Sequence, residues 1–154
     1  MYERFVKKEK FRVVGTEWRG TFTAAAKGEI RQQINEFRAR MHEVDHVVNP
    51  ETLIGYSQDH DEVGFTHYIC LEVTEAEQVP EGMVTFEIPN KLYAVCAHEK
   101  GQDVSRTYDN IVNWYESEGY VKDECGFWFE KYASTYDPML EPADFWIYMP
   151  VKKR

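Results

Sequence analysis

The order of secondary structure elements occurs twice along this chain of 154 residues. Alternating apolar and polar positions rich in β-branched and aromatic residues predict strands, and apolar residues three and four apart predict helices. The first half has predicted strands at residues 11–18, 53–58 and 66–73, and a predicted helix at residues 24–44. The second half has predicted strands at residues 83–88, 92–98, 127–132 and 145–151, and a helix between Asp103, a suitable N-cap, and Gly119.

A shift of 81 residues along the chain relates the two halves. It places Val14 on Val95 and Ile30 on Ile111, so that apolar positions repeat together with the order of elements. Such repetition indicates duplication. We therefore predict an α+β fold with pseudo-twofold symmetry, in which an antiparallel sheet carries one helix per half. Residues 1–154 are expected to form one domain with halves at about residues 1–78 and 79–154.

Acidic residues outnumber basic ones, and the formal net charge is −9. A surface of that sign repels phosphate backbones and favours cationic small molecules, so we expect no direct nucleic-acid partner. Acidity also serves solubility alone. No stretch is apolar and long enough to span a bilayer, and the N-terminus has no apolar leader. The three cysteines form neither a zinc pattern nor a disulfide framework, and we expect a cytoplasmic protein.

The aromatic segment at residues 126–132, Gly-Phe-Trp-Phe-Glu-Lys-Tyr, contains one carboxylate, Glu130. Because side chains alternate along a strand, Trp128, Glu130 and Tyr132 share a face, and Phe127 and Phe129 share the other. We expect the purely apolar face to pack against the helices. The mixed face would then line the space between the halves.

A carboxylate surrounded by aromatic rings has to be solvated, hydrogen-bonded or neutralised. Glu130 is therefore a candidate counterion for an organic cation, which the rings would also attract through cation–π contacts. It is equally a candidate general acid or base with a raised pKa. A third interpretation is an exposed edge strand on which Glu130 faces water and pairs with a lysine.

Residues 42–46 read His-Glu-Val-Asp-His, which has the spacing of the H-E-x-x-H zinc motif. The apolar face of the predicted helix ends at Met41, whereas His42 and His46 continue its polar stripe. Asn49-Pro50 ends the helix almost at once, and no later helix offers a third ligand. We therefore expect no metal site, and nothing else in the sequence indicates a cofactor.

Four segments, GMVTFEIPNKLYAVCAHEKG, TYDNIVNWYES, GFWFEKY and DFWIYMPVKK, resemble in this order the GyrI-like small-molecule-binding family. The same module is the effector domain of some AraC-type and MerR-type multidrug-responsive regulators. The resemblance covers essentially the whole chain and implies the duplicated fold predicted above. It also implies a cleft between the halves, in which aromatic side chains and a glutamate hold lipophilic, often cationic ligands.

The resemblance assigns the cleft glutamate to Glu130 and the aromatic residue of the last strand to Tyr148. The strand pattern adds four stacking residues, Trp128, Trp146, Tyr68 and Tyr56. Since the chain has no helix-turn-helix, it resembles the stand-alone members. We expect a stand-alone binding protein for lipophilic, cationic small molecules.

Two alternatives remain open at this stage. Some stand-alone members hydrolyse reactive cyclopropane-bearing natural products; in that case Glu130 would act as a general base and Tyr148 as a proton donor. The family name also points to a protein-binding inhibitor of a DNA enzyme, which would use its acidic surface against a basic partner.

Overall fold

The structure is a computed structural model that describes residues 3–99, 101–135 and 145–154. Its described part is an antiparallel sheet with helices on one side. The strands are β1 (Arg4–Lys8), β2 (Phe11–Thr21), β3 (Thr52–Gln58), β4 (Gly64–Val73), β5 (Val84–Ile88), β6 (Lys91–His98), β7 (Tyr120–Lys122), β8 (Phe129–Ala133) and β9 (Phe145–Lys153). The helices are α1 (Phe22–Ala26), α2 (Glu29–Arg40) and α3 (Val104–Ser117), and a 3₁₀ turn (Met41–Glu43) follows α2.

The strand order is symmetric. It runs β1-β6-β9-β8-β3-β4-β2-β5, and β7 pairs with the C-terminal end of β9. In this order β1 corresponds to β5, β2 to β6, β3 to β8 and β4 to β9. When each strand is replaced by its counterpart, the same order results in the reverse direction across the sheet. Each half also gives its first strand to the other half, since β1 pairs with β6 and β5 pairs with β2. The predicted α+β fold with pseudo-twofold symmetry is confirmed.

The sheet is strongly curved. Only Glu9 and Lys10 join β1 to β2, although these strands are six positions apart in the strand order. In a flat sheet the two strands would lie about 29 Å apart, whereas this connection spans about 11 Å at most. The curvature brings the Nζ atom of Lys8 on β1 to 3.3 Å from Oε1 of Glu72 on β4.

Both faces of the curved sheet are covered. The convex face packs against the helices through a large apolar cluster that includes Val14, Ile34, Phe37, Leu53, Ile69, Leu71, Ile111, Tyr115 and Ile147. The concave face is filled by the sheet's own side chains, among them Phe11, Val13, Ile54, Tyr68, Cys70, Ile88, Tyr93, Val95 and Phe129. A strand in this molecule therefore buries apolar side chains on either side.

The continuous helix predicted for residues 24–44 is wrong. Two helices cover this region, and Gly28 between them has a φ of 108°, a left-handed conformation that favours glycine. The second helix ends at Arg40, four residues before the predicted end. Its predicted buried face is nevertheless present, because Ile34 and Phe37 are buried against the convex face.

Within the described part of the chain, no helix has both the length and the apolar character needed to cross a membrane.

Candidate functional site

Glu130 lies on β8 and points to the convex face, toward the helices. In the pairing of β8 with β9, Glu130 lies opposite Ile147 and Phe129 lies opposite Tyr148. Opposed residues share a face of the sheet, and Ile147 belongs to the helix-covered cluster, whereas Phe129 belongs to the concave one. The prediction that the face of Phe129 packs against the helices is therefore wrong. The curved sheet buries aromatic rings in its own concavity and leaves the mixed face to the helices.

Two tyrosine hydroxyls hold the carboxylate of Glu130. The Tyr108 hydroxyl, on α3, donates to Oε2, and the Tyr132 hydroxyl, on β8, donates to Oε1. The indole N–H of Trp128 donates to the Tyr108 oxygen at 3.0 Å, and the two rings meet edge to face with centroids 5.1 Å apart. We call Glu130, Tyr108, Tyr132 and Trp128 the glutamate cluster.

Local sequence explains how these side chains meet. Tyr108 lies three residues before Ile111 and seven before Tyr115, so it shares the core-facing side of α3. Gly55 on β3 lies directly opposite Glu130. A Cβ atom at Gly55 would lie 2.7 Å from Cε2 of Tyr132, so the missing side chain leaves room for the Tyr132 ring to reach the carboxylate.

The electrostatics of the cluster favour a proton or a cation at Glu130. Removal from water raises the pKa of Glu130, and the hydrogen bonds from Tyr108 and Tyr132 offset part of that rise. Burial and the adjacent carboxylate raise the pKa of Tyr108, so its hydroxyl remains a neutral donor. Among the residues that the structure describes, no lysine or arginine pairs with Glu130, although its side chain keeps some exposure to solvent.

Tyr56 and Tyr68 lie on the other side of the sheet. Their rings stack on the concave face with centroids 5.7 Å apart. Together with Phe86 and Phe127 they line a cavity of about 330 Å³, and the Tyr68 hydroxyl donates to Glu17 at 2.7 Å. This cavity is a second place where aromatic rings and a carboxylate meet.

Tyr148 and Trp146 also lie on the concave side, on β9, where Tyr148 is in the same cross-strand row as Tyr56. Tyr148 stacks on Phe129 with centroids 4.7 Å apart, and Trp146 is 41% exposed. Both line a cavity of about 750 Å³. Of the five side chains chosen from the sequence besides Glu130, the structure thus brings only Trp128 near it, through the Tyr108 hydroxyl. Whether any of the six binds a ligand stays a prediction.

Sequence reasoning did not name Tyr108 and Tyr132 as site residues. The available signal was their position, since each tyrosine stands where the pattern requires a buried side chain. A buried tyrosine hydroxyl usually needs a hydrogen-bond partner, and the isolated carboxylate of Glu130 needs a donor.

The H-E-x-x-H motif does not lie on an α-helix in the structure. His42 is in the 3₁₀ turn after α2, and His46 has a φ of 61°. The Nε2 atom of His46 lies 3.0 Å from Oε1 of Glu75. The described residues contain no group of three or more His, Cys, Asp or Glu placed to hold a metal ion.

Comparison with known proteins gives one curated relative and several solved structures. The transcriptional regulator BrlR of Pseudomonas aeruginosa is 29% identical over 153 residues, which are 98% of this chain and 56% of the regulator. The chain thus spans little more than half the length of that relative. SAV2435, solved with bound tetraphenylphosphonium, has a TM-score of 0.69 at 13% identity and covers 99% of this chain and 94% of its own.

The C-terminal domain of EcmrR has a TM-score of 0.70 at 16% identity, with 99% of this chain and 98% of that domain covered. These likenesses show the fold, which is that of the GyrI-like family. The model of a family of effector-binding proteins, described as Cass2, integron-associated effector binding protein, matches residues 4–151. Since that match spans nearly the whole chain, the protein belongs to the Cass2 family of effector-binding proteins.

Proposed function

We propose that this protein binds a lipophilic organic cation on the convex face, with Glu130 as its counterion. The observation that carries the proposal is a partly buried carboxylate that, among the described residues, is held by hydroxyl groups and by no cation. SAV2435, which shares the fold, was solved with tetraphenylphosphonium, a lipophilic cation. The negative net charge of the chain also attracts cations.

The glutamate cluster suits a cation without hydrogen-bond donors. Such a ligand cannot replace the hydroxyls of Tyr108 and Tyr132, so both can stay on the carboxylate while the charge of Glu130 attracts the ligand. The ring of Trp128 adds a cation–π attraction of about 0.5–2 kcal/mol. Entry requires the Tyr108 side chain on α3 to shift, because it covers Glu130 from the helix side.

The test is a calorimetric titration with tetraphenylphosphonium of the wild type, Glu130→Gln and Glu17→Gln. Glu17 is the matched control, since it also accepts a hydrogen bond from a tyrosine but lies on the concave face. We expect Glu130→Gln to bind at least about 10-fold more weakly, in line with the loss of one charged interaction. Glu17→Gln should bind within about twofold of the wild type.

The proposal fails if Glu130→Gln binds as tightly as the wild type. It also fails if Glu17→Gln is the weak binder, because the cation would then occupy the cavity of Tyr56 and Tyr68. Circular dichroism of each variant controls for loss of fold.

A second function, hydrolysis of a reactive small molecule, is favoured by the hydrogen bond between Tyr108 and Glu130, which joins a proton donor to a base of raised pKa. Tyr148, the proton donor expected from the sequence, lies on the opposite face of the sheet from Glu130. The tyrosine of this alternative would therefore be Tyr108 or Tyr132. Product formation from an electrophilic cyclopropane, lost in Tyr108→Phe and Glu130→Gln alike, would support it; binding without product would exclude it for that substrate.

A further inference from the structure

We propose that the protein has a second binding site, for an aromatic carboxylate, on the concave face around Lys131. The site is the cavity of about 750 Å³ that Arg4, Lys8, Glu72, Lys131, Trp146 and Tyr148 help to line, and we call it the lysine basin. Its volume is within the range of ligand sites for small organic molecules.

The cations of the basin are the first argument. Its lining has three cationic side chains and two anionic ones, Glu51 and Glu72, in a chain where acidic residues are in excess. Lys8 is neutralised by Glu72 at 3.3 Å. The guanidinium of Arg4 instead lies over the Trp146 ring, 5.1 Å from its centroid.

Lys131 is the centre of the argument. It is partly buried between Ile54 and Trp146, its neighbours across the two adjacent strands. Its Nζ atom lies 5.0 Å from the centroid of the Tyr148 ring, and in the described part of the chain it forms no ion pair. Burial lowers the pKa of Lys131, and the negative charge of Glu72 offsets only part of that effect. An anion bound here would compensate further for the water that the amine has lost.

The rings decide the class of anion. Tyr148 and Trp146 line the same basin as Lys131, and Trp146, which is 41% exposed, offers a surface on which a flat ring can stack. The basin is far larger than an inorganic anion needs. A carboxylate attached to an aromatic group would place its charge at Lys131 and Arg4 and its ring against these side chains.

The two proposed sites differ in face and in charge. Lys131 directly follows Glu130 in β8, so their side chains leave the sheet on opposite sides. An aromatic anion is repelled by Glu130 and a lipophilic cation is repelled by Lys131. The basin therefore does not depend on the proposed cation site, and each can fail without the other.

The experiment is a calorimetric titration with 2-naphthoate of the wild type, Lys131→Met, Lys131→Arg and Lys152→Met. Methionine keeps the apolar stem without the charge, arginine restores the charge, and Lys152 is an exposed lysine on β9. We expect Lys131→Met to bind at least 10-fold more weakly, as for a lost charge-assisted hydrogen bond, and Lys131→Arg and Lys152→Met to bind within about threefold of the wild type. Neutral 2-naphthamide should bind the wild type at least about 10-fold more weakly than 2-naphthoate.

The proposal is overturned if the wild type does not bind 2-naphthoate, if Lys131→Met binds it unchanged, or if the amide binds as well as the acid. A melting curve for each variant separates lost binding from lost fold. Saturation with tetraphenylphosphonium should leave the affinity for 2-naphthoate within about twofold, and strict competition would place both ligands in one site and contradict the proposal.

Discussion

Glu130 is the residue at which stability and function oppose one another. A carboxyl group whose pKa is raised on folding binds its proton more tightly in the folded chain than in the unfolded one. The folded state is therefore favoured at low pH, and this advantage is lost as the pH rises from the unfolded pKa through the folded one. At neutral pH the charged Glu130 lowers stability, which a binding site can tolerate.

Glu130→Gln should consequently stabilise the free protein near neutral pH. We expect a gain of about 1 kcal/mol, or about 2–4 °C in melting temperature for a chain of this size. The gain should shrink as the pH is lowered through the raised pKa of Glu130, because the wild-type side chain then takes up its proton, and it should be gone below the ordinary pKa of a glutamate, about 4.3. Thermal melts of both proteins over this pH range measure it, and a variant that is less stable near neutral pH would contradict the assigned direction of the pKa.

Gly55 is the second residue on which the cluster depends. In Gly55→Ala the new Cβ atom would overlap the Tyr132 ring, which lies 2.7 Å away, so the ring has to move off β3. We expect a loss of about 1–3 kcal/mol in the free energy of unfolding, as for other overpacked sites. Denaturant titration measures it. In a Tyr132→Ala background the same change should cost little, and an equal cost there would show that the ring is not responsible.

At the scale of elements, α3 positions the glutamate cluster, and a fully buried polar contact between Thr107 and His98 also ties it to the sheet. The Thr107 hydroxyl donates its one proton to the Asp103 carbonyl oxygen at 3.3 Å. Its oxygen therefore accepts a hydrogen bond from Nδ1 of His98 on β6, which lies 2.8 Å away. His98 is fully buried, and within the described structure its Nε2 atom has no hydrogen-bond partner.

Thr107→Val keeps the shape of the side chain and removes this contact. The Nδ1–H group of His98 would then be buried without an acceptor, and we expect a loss of about 1–3 kcal/mol in the free energy of unfolding. Thr107→Ser retains the hydroxyl and should recover most of that loss. Denaturant titration of the two variants distinguishes a polar contact from methyl packing, since equal losses would assign the effect to the methyl group.

The element order was predictable because hydrophobic periodicity is a local signal. It located α3 and most strands to within a few residues, but it missed β1 and β7. β1 is Arg-Phe-Val-Lys-Lys, whose charged residues hide the alternation, and β7 has only three residues. The break between α1 and α2 at Gly28 depends on a backbone conformation. The spacing of apolar residues continues across Gly28 and therefore gives no sign of the break.

The faces of the strands were not predictable by the same means. Alternation shows which side chains of a strand lie together, but not which set meets the helices, and here both faces are buried. The shift that relates the two halves was off by one residue for the same reason. It places Val14, which is on the convex face, on Val95, which is on the concave face. A shift one residue shorter relates Val14 to Ala94, which shares its face. Glu130 was found because a lone acid in an aromatic strand is conspicuous, whereas its partners depend on tertiary structure.

At the scale of the whole molecule, curvature and strand exchange hold the two halves together. We propose that the halves meet at about residue 78. Neither half contains a complete sheet, because in the described part of the chain β1 pairs with β6 of the second half and β5 pairs with β2 of the first. The central pairing of β3 with β8 also joins the halves.

Fragments 1–78 and 79–154, produced separately, should therefore fail to fold alone and should assemble when mixed. We expect each fragment to lack a cooperative thermal transition and the equimolar mixture to regain one, because only the mixture can pair the exchanged strands. Circular dichroism melts and sedimentation measure both states. A cooperative transition in either fragment alone would show that its half is an independent folding unit.

The exchanged strands also have an evolutionary consequence. A gene for only half of such a chain would encode a subunit whose first strand completes the sheet of its neighbour, so two copies would close as an intertwined homodimer. Every residue of that ancestor would occur twice around the axis, and so would every binding group. Once the two copies were fused, equivalent positions became free to diverge. β8 could then carry the acid Glu130, while its counterpart β3 carried Gly55 at the facing position. The glycine leaves room for Tyr132, whose hydroxyl donates to Glu130.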